Sequence, residues 1–253
     1  MTATSRPTRP AGSESIRQTR RRLASHGKPM RGAPAYSRFV NRPLGRAIAA
    51  WAHHVGMTPN GVTAISAALS LLGILVVALG PSRSLAATLA VPVLLAAGYA
   101  FDSADGQLAR LRGGGSSQGE WLDHVVDCLK ISALHIAVVI GVHRAGLDLR
   151  WALVPLAFLL VANAFFFSYI LTDLLNRLRP SGAPQRPEGA PLLRSLLSAP
   201  TDYGLLCVAF VLWAWPAAFL AVYGVLLLGT AGYLALGLPK WFRQLGVRSV
   251  GDL

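Results

Sequence analysis

Six long apolar stretches constrain the fold of this chain more than any motif does. They lie near residues 60–80, 84–108, 120–142, 152–172, 202–215 and 217–238. A helix needs about 20 apolar residues to cross the hydrocarbon core of a bilayer. Backbone amides in lipid must be satisfied within their own segment, so runs of this length predict helices. Apolar residues make up 53% of the 253 and charged residues 14%. Soluble domains carry about 25% charged residues, so an all-soluble enzyme and a disordered or fibrous chain are both excluded. The predicted fold is all-α: a polytopic membrane helix bundle of about six transmembrane helices, preceded by an interfacial amphipathic helix. The fifth run is short, and the Trp213, Trp215, Pro216 junction blurs its end, which leaves five as the alternative count. Cys128 and Cys207 lie far apart in apolar stretches and read as small buried residues, with no disulfide or metal spacing.

The net charge of +13 is unevenly placed. Eleven of the 24 basic residues precede residue 58. Residues 1–33, rich in Arg, Ser, Pro and Gly, read as a disordered basic cytoplasmic tail. Its expected partner is anionic membrane lipid and not nucleic acid, because the charge sits beside apolar spans. No compact apolar stretch with a cleavage site occurs in the first 57 residues, so no signal peptide is expected. Residues 34–57 read as the interfacial helix: Phe39, Val40, Leu44, Ile48 and Trp51 alternate with Arg38, Arg42 and Arg46. The membrane domain then occupies 58–240, and 241–253 reads as a cytoplasmic C-terminal tail. With the N-terminus inside, 20 basic residues fall on the cytoplasmic side and three (Arg83, Arg144, Arg150) outside. That asymmetry predicts a multi-pass cell-membrane protein with both termini in the cytoplasm.

Acidic residues are scarce, and their placement is the second constraint. Five of the eleven (Asp102, Asp105, Glu120, Asp123, Asp127) fall between 102 and 127, at the cytoplasmic ends of spans two and three. Carboxylates inside membrane helices are costly and mark function by default. Asp102 and Asp105 are spaced i,i+3, and Asp123 and Asp127 i,i+4, so each pair shares a helix face. The short Gly113-Gly114-Gly115-Ser116 link forces the two helices antiparallel, so all four carboxylates can converge. Like charges raise one another's pKa, and a hard divalent cation such as Mg²⁺ resolves that conflict. Gly98, Asp102 and Gly106 form an i,i+4 stripe with little side-chain bulk, which admits a ligand or a neighbouring helix. Arg110 adds a fork for a phosphate. Paired metals, an arginine and a cytoplasmic opening suit a diphosphate substrate.

Asp102-x2-Asp105-Gly106-x2-Ala109-Arg110-x8-Gly119-x3-Asp123-x3-Asp127 resembles the full signature of the CDP-alcohol phosphotransferases, the CDP-alcohol phosphatidyltransferase family. The likeness extends over residues 36–240. It implies an integral membrane enzyme that moves a substituted phosphate from a CDP-linked donor to an alcohol and releases CMP, in phospholipid biosynthesis. It further implies two Mg²⁺ ions, with Mn²⁺ as a substitute, held by Asp102, Asp105 and Asp123 with Asp127 beside them as general base or fourth ligand. Gly106, Ala109, Arg110 and Gly119 match donor-binding positions. Thr58 to Thr63 resembles the family segment that opens span one, which puts Asn60 and Thr63 at the nucleotide; helix capping by Thr58 before Pro59 accounts for the same residues. Ser116 after three glycines is similar to a donor-contacting position in actinobacterial members, which points to an actinobacterial source. Those members gather basic residues for an inositol phosphate on later spans. Here span four is aromatic and polar (Asn163, Phe165, Phe166, Phe167, Tyr169), and Arg177 and Arg179 fall at or beyond its end, which argues against that acceptor. CDP-diacylglycerol is the default donor. Tyr36 to Arg42 instead resembles the start of members acting on soluble polyols, which keeps a soluble CDP-polyol donor open. The family likeness also implies a homodimer.

Other constellations read as structural. His53-His54, His124, His135 and His143 share no metal spacing, and His124 points about 100° from Asp123 on a helix, which favours packing. Asp173 and Asp202 read as helix-end residues, with Thr201 or Asp202 as an N-cap. An ion-coupled transporter is the alternative from another class, but it predicts an inverted repeat and acids near the midplane. An intramembrane prenyltransferase has no need of Gly106, Ala109 and Arg110 in register with the acids, and a non-catalytic scaffold has no need of Asp127.

Overall fold

The computed structural model describes residues 14–25, 34–81, 84–178 and 198–246. Most of the N-terminal tail and Arg83, Arg179, Arg186, Arg194 and Arg248 lie outside the described residues. All described elements are helical. A first short helix, α1, spans Ile16–Ser25. A π-helical turn, Ser37–Asn41, runs directly into α2, Arg42–His54. Then follow α3 (Pro59–Leu79), α4 (Leu85–Leu111), α5 (Ser117–Arg144) and α6 (Leu153–Arg177). The short α7 (Tyr203–Ala209) tightens into a 3₁₀ turn over Phe210–Leu212, and α8 (Pro216–Gly246) closes the chain.

Five helices are long and apolar enough to cross a membrane: Pro59–Leu79, Leu85–Leu111, Ser117–Arg144, Leu149–Arg177 and Pro216–Gly246. The sixth apolar run, expected over 202–215, is the shorter helix Tyr203–Leu212. Two further boundaries and one burial differ from the sequence reading. Ile16–Ser25, inside the segment read as disordered, is a helix whose Thr19 and Leu23, one turn apart, are both buried. Leu23 joins Ala49, Ala50, Val62, Ala104 and Leu108 in a small core at the ends of α2, α3 and α4, and that docking stabilises a helix too short to persist alone. At the other end α8 runs past residue 240 to Gly246. Cys128, read as buried, is exposed, whereas Cys207 is buried as expected.

Helix ends follow the local chemistry. The Thr58 hydroxyl accepts from the Gly61 amide (3.1 Å) ahead of Pro59, and Ser84 and Ser116 cap α4 and α5 in the same way. Asp202 caps α7 by accepting from the Gly204 amide, and its other oxygen accepts from the Ser37 amide at 3.1 Å, tying α7 to the π-helical turn ahead of α2. The α4–α5 turn needs left-handed backbone at Gly113 (φ 101°) and Gly114 (φ 126°), which only glycine adopts without strain.

The main core lies between α3, α4, α5, α7 and α8, where Val77, Leu95, Leu134, Val138, Phe210, Phe219 and Tyr223 pack together. At its centre His135 Nδ1 bonds the Tyr223 hydroxyl, and both rings pack on Phe158. Leu153, Leu160, Phe167, Leu228 and Leu236 point outward, as lipid-facing side chains should. Small residues bring α3 against α4. The buried Ser66 hydroxyl donates to the Gly98 carbonyl at 2.8 Å, so the helices are nearly in backbone contact one turn from Asp102.

Candidate active site

The short glycine turn that joins α4 to α5, both of which pack on α3, fixes the site. Asp102, Asp123 and Asp127 each present a carboxylate oxygen, and these oxygens lie within 4.8 Å of one another. All three residues are half-buried. Asp105 is buried and is not one of that triplet: its Oδ2 accepts from the Thr63 hydroxyl at 2.6 Å, and its Oδ1 from the Gly106 amide at 2.5 Å. The structure therefore brings three of the four predicted aspartates together and sets the fourth against α3.

Around the acids the predicted donor residues form two groups. Arg110 folds back so that its guanidinium lies 3.5 Å from where a Gly106 side chain would begin. Ala109 holds the turn, since its carbonyl accepts from the Gly114 amide at 3.0 Å. On the other side the Asn60 side-chain oxygen lies 3.3 Å from the position of a Gly119 Cβ, and Ser116 Oγ accepts from the Gly119 amide at 3.0 Å. Asn60, Ser116 and Gly119 thus meet where α3 begins and α5 begins. Asn60, Arg110 and Ser116 are exposed, Thr63 and Asp105 are buried, and the three converging aspartates lie between these extremes.

Lys130 is a residue that sequence reasoning missed. Its ammonium lies 2.5 Å from Asp102 Oδ1 and 2.7 Å from Asp127 Oδ1, and its side chain is 12% exposed. A lone lysine inside an apolar span, three residues after an aspartate, is the signal that could have found it. A second missed set flanks the opening. Arg177 at the end of α6 pairs with Glu120 at 2.5 Å and with Asp173, which clamps α6 to the start of α5. His124 packs edge-on against Phe166 with Glu120 and Asp123 each 3.8 Å away, in keeping with a packing role. Farther along α5 the Ser132 hydroxyl donates to Asn163 on α6 at 3.1 Å.

A family model described as CDP-alcohol phosphatidyltransferase matches residues 56–236, which contain every element of this site. The chain belongs to the CDP-alcohol phosphatidyltransferase family. It is a phosphotransferase, and the transporter alternative falls with that membership. A search of curated protein sequences finds no match. Among solved structures, the phosphatidylinositol phosphate synthase of Mycobacterium tuberculosis with CDP-DAG bound is similar at TM-score 0.55 and 23% identity, over 80% of this chain and 94% of that one. The same synthase in complex with manganese and citrate aligns at TM-score 0.53 and 21% identity, over 77% and 87%. At these identities the likeness establishes the fold that this CDP-alcohol phosphatidyltransferase shares with them.

Proposed function

We propose that this enzyme transfers a phosphatidyl group from CDP-diacylglycerol to an alcohol acceptor, releasing CMP, as a step of phospholipid biosynthesis at the cytoplasmic face of the cell membrane. The observation that carries the reading is the convergence of Asp102, Asp123 and Asp127, with Gly106 and Arg110 in register on the same helix as Asp102. The residues fit a divalent cation: carboxylate oxygens are hard donors, and three of them already lie within mutual reach. Asp102, Asp105, Asp123 and Asp127 would hold two Mg²⁺ ions, or Mn²⁺ in their place, and Thr63 keeps Asp105 oriented. When bound, the ions supply charge neutralisation of the diphosphate and of the departing CMP.

The protein's own groups do the rest. Arg110 offers its guanidinium to a donor phosphate, and Gly106 leaves the room beside it. Asn60, Ser116 and Gly119 would form the nucleotide side, with Ala109 beside Arg110 in the turn and Thr63 behind Asp105. Asp127, the last of the three converging acids along the chain, takes the proton. The acceptor oxygen then bonds to the phosphatidyl phosphorus as its proton passes to Asp127. The bond from phosphorus to the CMP oxygen breaks, and CMP leaves with the electron pair. The arginines of α1 and α2 would face anionic lipid, and the chain would pair as a homodimer. Support for a CDP-linked lipid and a divalent ion comes from the ligands of the related synthase.

Purified protein incubated with radiolabelled CDP-diacylglycerol, Mg²⁺ and a panel of alcohols should release CMP and label one lipid product. Turnover of a soluble CDP-polyol with none of CDP-diacylglycerol would favour the second reading, which the Tyr36 to Arg42 segment supports.

A further inference from the structure

Lys130 is a cation set inside an acid cluster, and every bond it makes is accounted for. An ammonium has three N–H donors. Here they meet Asp102 Oδ1 on α4 (2.5 Å), Asp127 Oδ1 on its own helix (2.7 Å) and Ser66 Oγ on α3 (3.4 Å). The Ser66 hydroxyl is committed in turn to the Gly98 carbonyl, so the lysine is seated on a fixed acceptor. Three carboxylates in mutual reach repel one another when nothing lies between them, and a half-buried lysine needs such partners.

We propose that Lys130 is a positioning residue: a built-in cation that holds Asp102 and Asp127 together before a divalent ion arrives. The ion then competes with it for the same two carboxylates. The inference rests on reading the acids as a divalent-cation site. It says further that metal entry is an exchange against a resident charge and does not fill an open, strained cage.

The test uses the full chain in nanodiscs, with Mn²⁺ binding followed by electron paramagnetic resonance and thermal unfolding followed with and without saturating Mg²⁺. Lys130→Met should bind Mn²⁺ at least about threefold more tightly, because a nearby positive charge is gone. Its metal-free unfolding midpoint should fall by several degrees, and saturating Mg²⁺ should close the gap to wild type. Lys130→Gln, which keeps a donor but no charge, should shift Mn²⁺ affinity in the same direction. Lys130→Arg should stay within about twofold of wild type, since it keeps the charge. Unchanged or weaker Mn²⁺ binding by Lys130→Met overturns the proposal, as does wild-type affinity in Lys130→Gln. Should the Met variant not fold without metal, the Gln titration decides. A wild-type protein that binds no Mn²⁺ defeats the cation-site reading itself, whereas normal wild-type binding with unaffected variants defeats only the role of Lys130.

Discussion

Asp127 carries the sharpest expectation at the scale of single residues. Asp127→Asn keeps the size of the side chain and one oxygen, but it cannot take a proton at neutral pH. The variant should still bind the CDP donor while its rate falls about 10²- to 10⁴-fold, as loss of a general base does. Steady-state rates beside a donor-binding titration check this, and recovery of most of the rate in excess Mg²⁺ would make Asp127 a metal ligand only. The convergence of Asp102, Asp123 and Asp127 was legible because helical spacing places i,i+3 and i,i+4 residues on one face and the short glycine link keeps the two helix ends together. That Asp105 would be held by the Thr63 hydroxyl was not legible, since its partner sits 42 residues earlier on another helix. Lys130 escaped for the same reason: one of its two carboxylates lies on α4, 28 residues away.

At the scale of elements, the site depends on α3 lying close against α4. A Cβ at Gly98 would sit 2.3 Å from Ser70 Oγ and 3.1 Å from both the Ser66 carbonyl oxygen and the Ser70 amide nitrogen. The serine side chain can rotate away, but the backbone atoms cannot, so Gly98→Ala should push the helices apart. The expected cost is about 1–3 kcal/mol, the range for overpacking a close contact, read as a lower unfolding midpoint in thermal denaturation. A second element-scale prediction concerns α1. His54, at the end of α2, has Nδ1 2.9 Å from the Ala50 carbonyl and Nε2 2.8 Å from the Glu14 carbonyl just before α1. Both bonds form only when both nitrogens carry protons. The bond to Glu14, then that to Ala50, accordingly raise the His54 pKa above its ordinary value. A raised folded-state pKa gives a tether fully present below about pH 6.5 and lost as pH climbs through the folded value. Amide exchange in α1 should therefore quicken as pH rises from 6 to 8 by more than the intrinsic rate. His54→Ala should remove that extra dependence.

At the scale of the whole molecule, orientation decides which compartment supplies the nucleotide. Ser116 sits exposed in the α4–α5 turn, on the same side of the bundle as Arg110 and Arg112. Ser116→Cys, in a background with Cys128 and Cys207 replaced, should react with a membrane-impermeant thiol reagent only from the cytoplasmic side. Labelling in intact cells from outside would reverse the topology and with it the route of nucleotide entry. The sequence alone determined the helical class, the places of the long spans and the hairpin that carries the acids, because these follow from apolar run length and from spacing within one or two turns. Only the tertiary structure decided which aspartates meet, that a lysine stands between two of them, that the fifth run stops as the short α7, and that part of the basic tail docks as a helix. Each of those depends on contacts between residues far apart in the chain, such as those of α1 with α2 or of Lys130 with Asp102. Local periodicity carries no information about which face of one helix meets which face of another.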